Sequence, residues 1–132
     1  MAIHKIGADQ YTYDLIKKGL DVSAIRGKAI ANNIANINTK GYKKFNVSFE
    51  NTLKDVSNQI MDKGYVNASS EDFGQVGIDK DYSTSMRMDG NNVDIDIEKT
   101  NQAANTLMYN ALITAANNRL NMSRTVINGA GR

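Results

Sequence analysis

The amino-acid sequence predicts a mainly α fold: long N- and C-terminal helices paired as an antiparallel coiled coil, flanking a short, loop-rich middle segment with a small β-hairpin-like element. Three observations carry this expectation. Tyr13, Ile16, Leu20, Ser23, Gly27, Ile30, Ile34 and Ile37 recur at alternating spacings of three and four, the pattern of a helix with a coiled-coil seam. Ala104, Leu107, Met108, Ala111, Leu112, Ala115, Met122 and Val126 form a second helical face, built largely of alanine. Between the two faces, residues 54–92 are rich in Gly, Ser, Asn and Asp and have only weak periodicity. Proline is absent, so nothing of that kind interrupts either helix.

Chain length bounds the rest. With 132 residues there is material for one modest core, and the natural division is 1–42 for the N-terminal helix and its exit, 43–93 for the middle segment, and 94–132 for the C-terminal helix. Cysteine is absent, which removes disulfide frameworks and thiolate metal sites. No stretch reaches the roughly 20 apolar residues of a membrane span, and the N-terminus lacks the apolar run of a secretory signal, so export would proceed without a cleaved leader. The net charge of +2 hides a strong polarity. Residues 1–44 carry +5, residues 45–99 carry −6 and residues 100–132 carry +3, so basic ends flank an acidic middle. Such a chain attracts a copy of itself or an acidic partner.

The first helix is expected from about Asp9, as N-cap, to Asn36. At 1.5 Å per residue, a helix over 9–37 is about 43 Å long, more than a small domain covers by itself, so part of it should project or pair. Ser23 and Gly27 in mid-stripe leave room for a close helix–helix approach. After the helix, Asn36 and Asn38 suit capping or left-handed geometry, and Gly41 suits a turn. Phe45, Phe49 and Leu53 are spaced by four, while Phe45, Val47 and Phe49 alternate, so a short helix and an extended segment are equally compatible with 42–53. Gly64, Gly74, Gly77 and Gly90 punctuate the middle, and a hairpin-like turn is expected at Asp89–Asn92, between Ser83–Arg87 and Val93–Asp96. Asp94 or Asp96 should cap the second helix, with Glu98 in its first turn, Arg119 and Arg124 toward its end, and Gly129 and Gly131 terminating it.

Little chemistry is available. The single histidine, His4, has no neighbouring nucleophile or orienting acid in the sequence, and no glycine-rich phosphate loop occurs, so the expectation is a protein that is not an enzyme and uses no cofactor. The acidic run Asp89 to Glu98 does not match a calcium loop, because Gly90 is second where such a loop needs glycine at its sixth position. Lys17, Lys18, Arg26, Lys28, Lys40, Lys43 and Lys44 lie near Tyr11, Tyr13, Tyr42 and Phe45, which leaves a small basic nucleic-acid-binding module as the alternative function. No helix-turn-helix or sheet-borne aromatic pair accompanies those cations, so the favoured reading has no nucleic-acid partner.

The most distinctive stretch is Ala31-Asn32-Asn33-Ile34-Ala35-Asn36-Ile37-Asn38-Thr39-Lys40-Gly41-Tyr42. Asparagine is a poor helix-interior residue, and a helix end this rich in amides is stable only when each amide finds a partner. The stretch resembles the N-terminal motif of the rod, hook and hook-associated proteins of the bacterial flagellum, which usually ends asparagine-x-threonine-proline-glycine-tyrosine; here Lys40 replaces the proline. Asn91-Asn92-Val93-Asp94, Leu107-Met108-Tyr109-Asn110-Ala111-Leu112 and Arg124-Thr125-Val126-Ile127-Asn128-Gly129 resemble the C-terminal region of that family's basal-body rod proteins, the proximal rod members above all. The likeness covers about residues 10–53 and 89–129.

The resemblance implies a structural subunit of the basal-body rod, located outside the cytoplasmic membrane and in the periplasm of a two-membrane cell. It implies export unfolded through the flagellar type III apparatus and helical homo- and hetero-oligomers with copies of itself, other rod proteins, the membrane-ring adaptor and the export gate. The candidate motif and interface residues are Asn32, Asn33, Ile34, Ala35, Asn36, Asn38, Thr39, Gly41 and Tyr42. The candidate coiled-coil seam comprises Ile16, Leu20, Gly27, Ile30, Ile34 and Ile37 on the first helix and Ala104, Leu107, Met108, Ala111, Ala115 and Met122 on the second. Phe45 and Phe49 match the family's export-gate pattern, a phenylalanine followed four residues later by an apolar residue, and serve equally as packing anchors.

Overall fold

The computed structural model describes residues 8–49, 76–85 and 87–129. Helix α1 spans Ala8–Ala35, strand β1 Phe45–Ser48, strand β2 Gly77–Lys80 and helix α2 Ile95–Gly129. At 1.5 Å per residue the helices are about 42 and 52 Å long. His4, Leu53, Gly64, Gly74 and Gly131, singled out above, lie outside the described residues.

The two helices pack antiparallel. A Cβ on Gly19 would approach Leu112 Cδ1 to 3.1 Å, and one on Gly27 would approach Asn105 Nδ2 to 3.5 Å, while Asn33 reaches Glu98. Ascending α1 therefore means descending α2. Ser23 Oγ donates to Asn105 Oδ1 (3.0 Å), and Asn105 Nδ2 donates back to Ser23 O (2.9 Å). Small residues thus permit the close approach expected at Ser23 and Gly27, and Gly19 extends it. The seam within this chain is centred one position to the side of the predicted stripe. Val22, Ser23, Ala29, Ile30 and Asn33 are buried, whereas Ile16, Leu20, Gly27, Ile34 and Ile37 are half-buried. The side chains that decide this are a glycine, a serine and an asparagine, which a pattern of apolarity does not weigh.

Helix α2 begins where Asp94 Oδ1 accepts from the amides of Asp96 (2.9 Å) and Ile97 (3.3 Å), which makes Asp94 its N-cap, with Asp96 and Glu98 in the first turn. Of the two readings of residues 42–53, the extended one holds for β1. It pairs antiparallel with β2, Phe45 opposite Lys80 and Ser48 opposite Gly77. The β element is therefore built from 45–48 and 77–80. The chain turns two residues earlier than expected, at Arg87–Gly90, where Gly90 N donates to Arg87 O (3.1 Å) and Gly90 has φ 76°, and no strand flanks it among the described residues. The flanking backbone bonds elsewhere: Ser83 O accepts from Lys43 Nζ (3.1 Å), Ser83 N donates to Asp81 Oδ1 (2.9 Å) and Val93 N donates to Asn91 Oδ1 (2.8 Å).

Candidate functional site

The amide-rich exit from α1 is closed by residues from the far side of the chain. Asn33, only 1% exposed, uses every hydrogen-bonding position of its carboxamide. Nδ2 donates to Phe45 O (2.9 Å) and Glu98 Oε2 (3.1 Å), and Oδ1 accepts from Phe45 N (2.9 Å) and the Tyr42 hydroxyl (3.3 Å). Toward Phe45 the side chain acts as a strand neighbour would, pairing both its N–H and its C=O. Aspartate lacks the donor, and glutamine adds a methylene to the reach.

Asn91, with no exposed surface, does the same for the helix terminus. Nδ2 donates to the carbonyls of Asn36 (2.9 Å), Ile37 (3.0 Å) and Thr39 (2.9 Å), in the turns just beyond the end of α1. Oδ1 accepts from Val93 N (2.8 Å). Arg87 Nη1 adds a bond to Ile37 O (2.9 Å) while Nη2 pairs with Asp89 Oδ2 (2.8 Å). Asn92 fixes the start of β1: Oδ1 accepts from Lys44 N (2.8 Å), and Nδ2 donates to Asp81 O (2.7 Å). Ser85 Oγ donates to Asn91 O. The Asn-Asn pair of the first helix and the Asn-Asn pair before the second thus form one junction, and no buried side-chain polar atom among the described residues lacks a partner.

Thr39 to Tyr42 form a tight turn closed by Tyr42 N to Thr39 O (3.2 Å), with Gly41 at φ 72° in the third position. Positive φ at that position alone defines a type II turn, so Lys40 occupies the second position, where proline is favoured. Gly41 N donates to Asp89 O (2.8 Å), joining the two turns. Burial, and then the nearby Glu98 carboxylate, push the Tyr42 hydroxyl above its ordinary pKa. The tyrosine ring meets Phe45 edge-on, with centroids 6.3 Å apart.

Asn33 and Tyr42 are thus inside the junction, and Gly41 is in its turn. Asn36 donates to Asn32 O (2.8 Å) and Thr39 Oγ1 to Asn36 Oδ1 (3.2 Å), so Asn36 caps and does not adopt left-handed geometry. Asn32, Ala35, Asn38 and Thr39 are exposed. On α2, Ala115 is half-buried, while Ala104, Leu107 (73% exposed), Met108, Ala111 and Met122 are exposed. Helix α1 faces Glu98, Asn105 and Leu112, at intervals of seven residues, and Met108 lines a cavity with Gly19, Val22 and Ser23. Phe45 is half-buried under Lys80 and Phe49 is 5% exposed, so both are packed. Apolarity alone missed Asn91, Asn92, Asn105 and Glu98; the available signal was a cluster of amides in both halves.

Of the cations singled out for a nucleic-acid surface, four are engaged within the chain: Lys43 with Ser83 O (3.1 Å), Lys44 with Asp81 (3.6 Å), Arg26 with Val47 O (3.3 Å) and Lys17 with Asp14 (4.0 Å). The acids around Gly90 are also engaged, Asp89 by Arg87 and the Asn91 amide, and Asp94 by its own helix.

The profile of the family described as flagella basal body rod protein matches residues 19–43, from the glycine beneath Leu112 to the end of the turn. The chain is 37% identical over 122 residues to the flagellar basal body rod protein FlgB of Bacillus subtilis, covering 89% of this chain and 94% of that one. It is 34% identical to FlgB of Borrelia hermsii, covering 76% and 83%. The chain belongs to the FlgB family of flagellar basal-body rod proteins. It is a structural subunit of the rod, and rod proteins assemble with other rod components. No comparison favours the nucleic-acid alternative. No helix among the described residues is long and apolar enough to cross a membrane.

Proposed function

We propose that this FlgB-family chain polymerises through its terminal helices into the proximal part of the rod, a drive shaft that transmits torque and performs no chemistry. Its neighbours are copies of itself, other rod proteins, the membrane-ring adaptor and the export gate. The site of assembly is outside the cytoplasmic membrane, reached through the flagellar type III apparatus, with Phe45 and Phe49 read by the gate before they pack.

One observation carries this reading. Beyond its contact with α1, helix α2 exposes Leu107, Ile113, Leu120, Met122, Val126 and Ile127, on more than one side. A helix apolar on several faces is stable when surrounded by other helices, and one partner helix covers only one face. The motif residues Asn32, Ala35 and Asn38 and the seam residues Ala104, Ala111 and Met122 are at the surface and available to such neighbours. Replacing Ile34 and Ile37 by Asp is expected to abolish rod assembly while expression persists. Normal motility, or basal-body rods that survive deletion of the chain, would overturn the reading.

A further inference from the structure

A groove of about 380 Å³ opens between α1, β1 and α2, with Ile30, Val47 and Met108 among its walls and Glu98, Asn101 and Asn105 among its polar lining. Glu98 is only 2% exposed, and among the described residues the one side chain that donates to it is a neutral amide, that of Asn33. Arg26 also lines the groove, where it donates to Val47 O. Among the described residues no Lys, Arg or His forms an ion pair with Glu98. While the groove is open, the carboxylate keeps its remaining 2% of exposure. Once a neighbouring subunit covers it, the carboxylate is stranded unless the covering surface brings a positive charge.

Helix α2 carries a surface with that chemistry. Ile113, Asn117, Leu120, Arg124 and Ile127 recur at spacings of four and three, share one face, and are all exposed. Arg124 forms no ion pair among the described residues. The face therefore presents a guanidinium flanked by Leu120 and Ile127, with the Asn117 amide about two turns away. It matches a groove with apolar walls, a buried carboxylate and three asparagines, whose own cation, Arg26, is already bonded to Val47 O, and the charges match the acidic middle and basic C-terminal quarter of the chain.

We infer that the groove over Glu98 is a socket for a second copy of this chain, filled by the Leu120–Arg124–Ile127 face of that copy's α2 with Arg124 on the carboxylate. Knob and socket are different surfaces of one subunit, so the contact is heterologous, the type that propagates into an open helix when its rotation does not close a ring. The inference rests on the rod reading and specifies one contact within it.

Polymerisation of the full chain, followed by sedimentation, tests it with Glu98→Gln, Arg124→Gln and the double variant. Each single substitution is expected to raise the critical concentration on the order of tenfold, and the double to raise it little further, because both remove one contact. Additive losses, or an Arg124→Gln chain that polymerises like wild type, overturn the socket. Arg124 is exposed, so that variant decides the matter even where Glu98→Gln disturbs folding. In the cysteine-free background, Asn101→Cys with Asn117→Cys should give a disulfide-linked ladder in isolated rods, and neither single cysteine should. Rods without a ladder sink the socket alone, whereas a wild-type chain that stays monomeric counts against self-assembly itself.

Discussion

Asn33 Nδ2 and Glu98 Oε2 meet at 3.1 Å across the two long helices, 65 residues apart in sequence, and both side chains are buried. This bond joins the exit of α1 to the first turn of α2. Around it the asparagines of both halves satisfy each other's backbone.

Asn33→Ala removes both donors and both acceptors of the carboxamide and leaves Phe45 N–H, Phe45 C=O and Glu98 without that partner. At about 1–3 kcal/mol for each buried group left unsatisfied, with partial relaxation, a loss of about 2–4 kcal/mol is expected in denaturant unfolding. Asn33→Asp should be at least as damaging, because it replaces the donor facing Glu98 with a second carboxylate. An Asp variant as stable as wild type would show that Glu98 does not depend on this donor.

Asn91→Ala strips the α1 terminus of one side-chain donor shared by three carbonyls and leaves Val93 N–H without its acceptor. The expected cost is about 1–3 kcal/mol. In hydrogen exchange, amides of residues 36–42 and Val93 should lose protection more than those of residues 20–30. Uniform loss along α1 would mean that the cap is not local.

Lys40 stands where a type II turn favours proline, and none of the backbone bonds among the described residues uses its N–H. Lys40→Pro should stabilise the chain by about 0.4–1 kcal/mol by restricting the unfolded state, with a matching rise in Tm. Gly41→Ala should act in the opposite sense, by about 1 kcal/mol, because φ is 72° there. A Tm that falls with Lys40→Pro would show that Thr39 cannot adopt the backbone proline requires of the residue before it.

Two titrations set opposite ends of the pH profile. The Tyr42 hydroxyl is raised above its ordinary value of 10.0 by burial and by Glu98, so its contribution is complete below pH 10.0 and declines as the pH rises through the folded value. Asp81 is lowered below 3.8, chiefly by the Ser83 backbone amide, so its contribution is present above that pH and declines as the pH falls. Tyr42→Phe should flatten the alkaline limb of a stability-versus-pH curve and leave the acid limb unchanged. An alkaline limb identical to wild type would place its origin elsewhere.

The two long helices, the Asp94 cap, the glycine turn and the family motif were legible in the sequence, because each is written in local spacing and residue type. A period of three and four marks a helix, an aspartate ahead of such a period marks its start, and Gly41 marks a positive φ. The close approach at Ser23 was legible, but the full intrachain seam was not, because Gly19 and Asn105 gain their contacts from packing and hydrogen bonds and not from apolarity. The strand partner of Phe45–Ser48 was equally hidden. Its register with Gly77–Lys80 spans a long separation, and only the assembled junction aligns the two.

What the sequence determined by itself was that residues 31–42 hold more amides than a helix end can satisfy alone. Tertiary structure decided which groups answer them. Asn33 pairs with the backbone of Phe45 and with Glu98, and Asn91 pairs with the carbonyls of Asn36, Ile37 and Thr39. A hydrogen bond needs its partners within about 3 Å, and between residues more than 50 positions apart only the fold brings them that close.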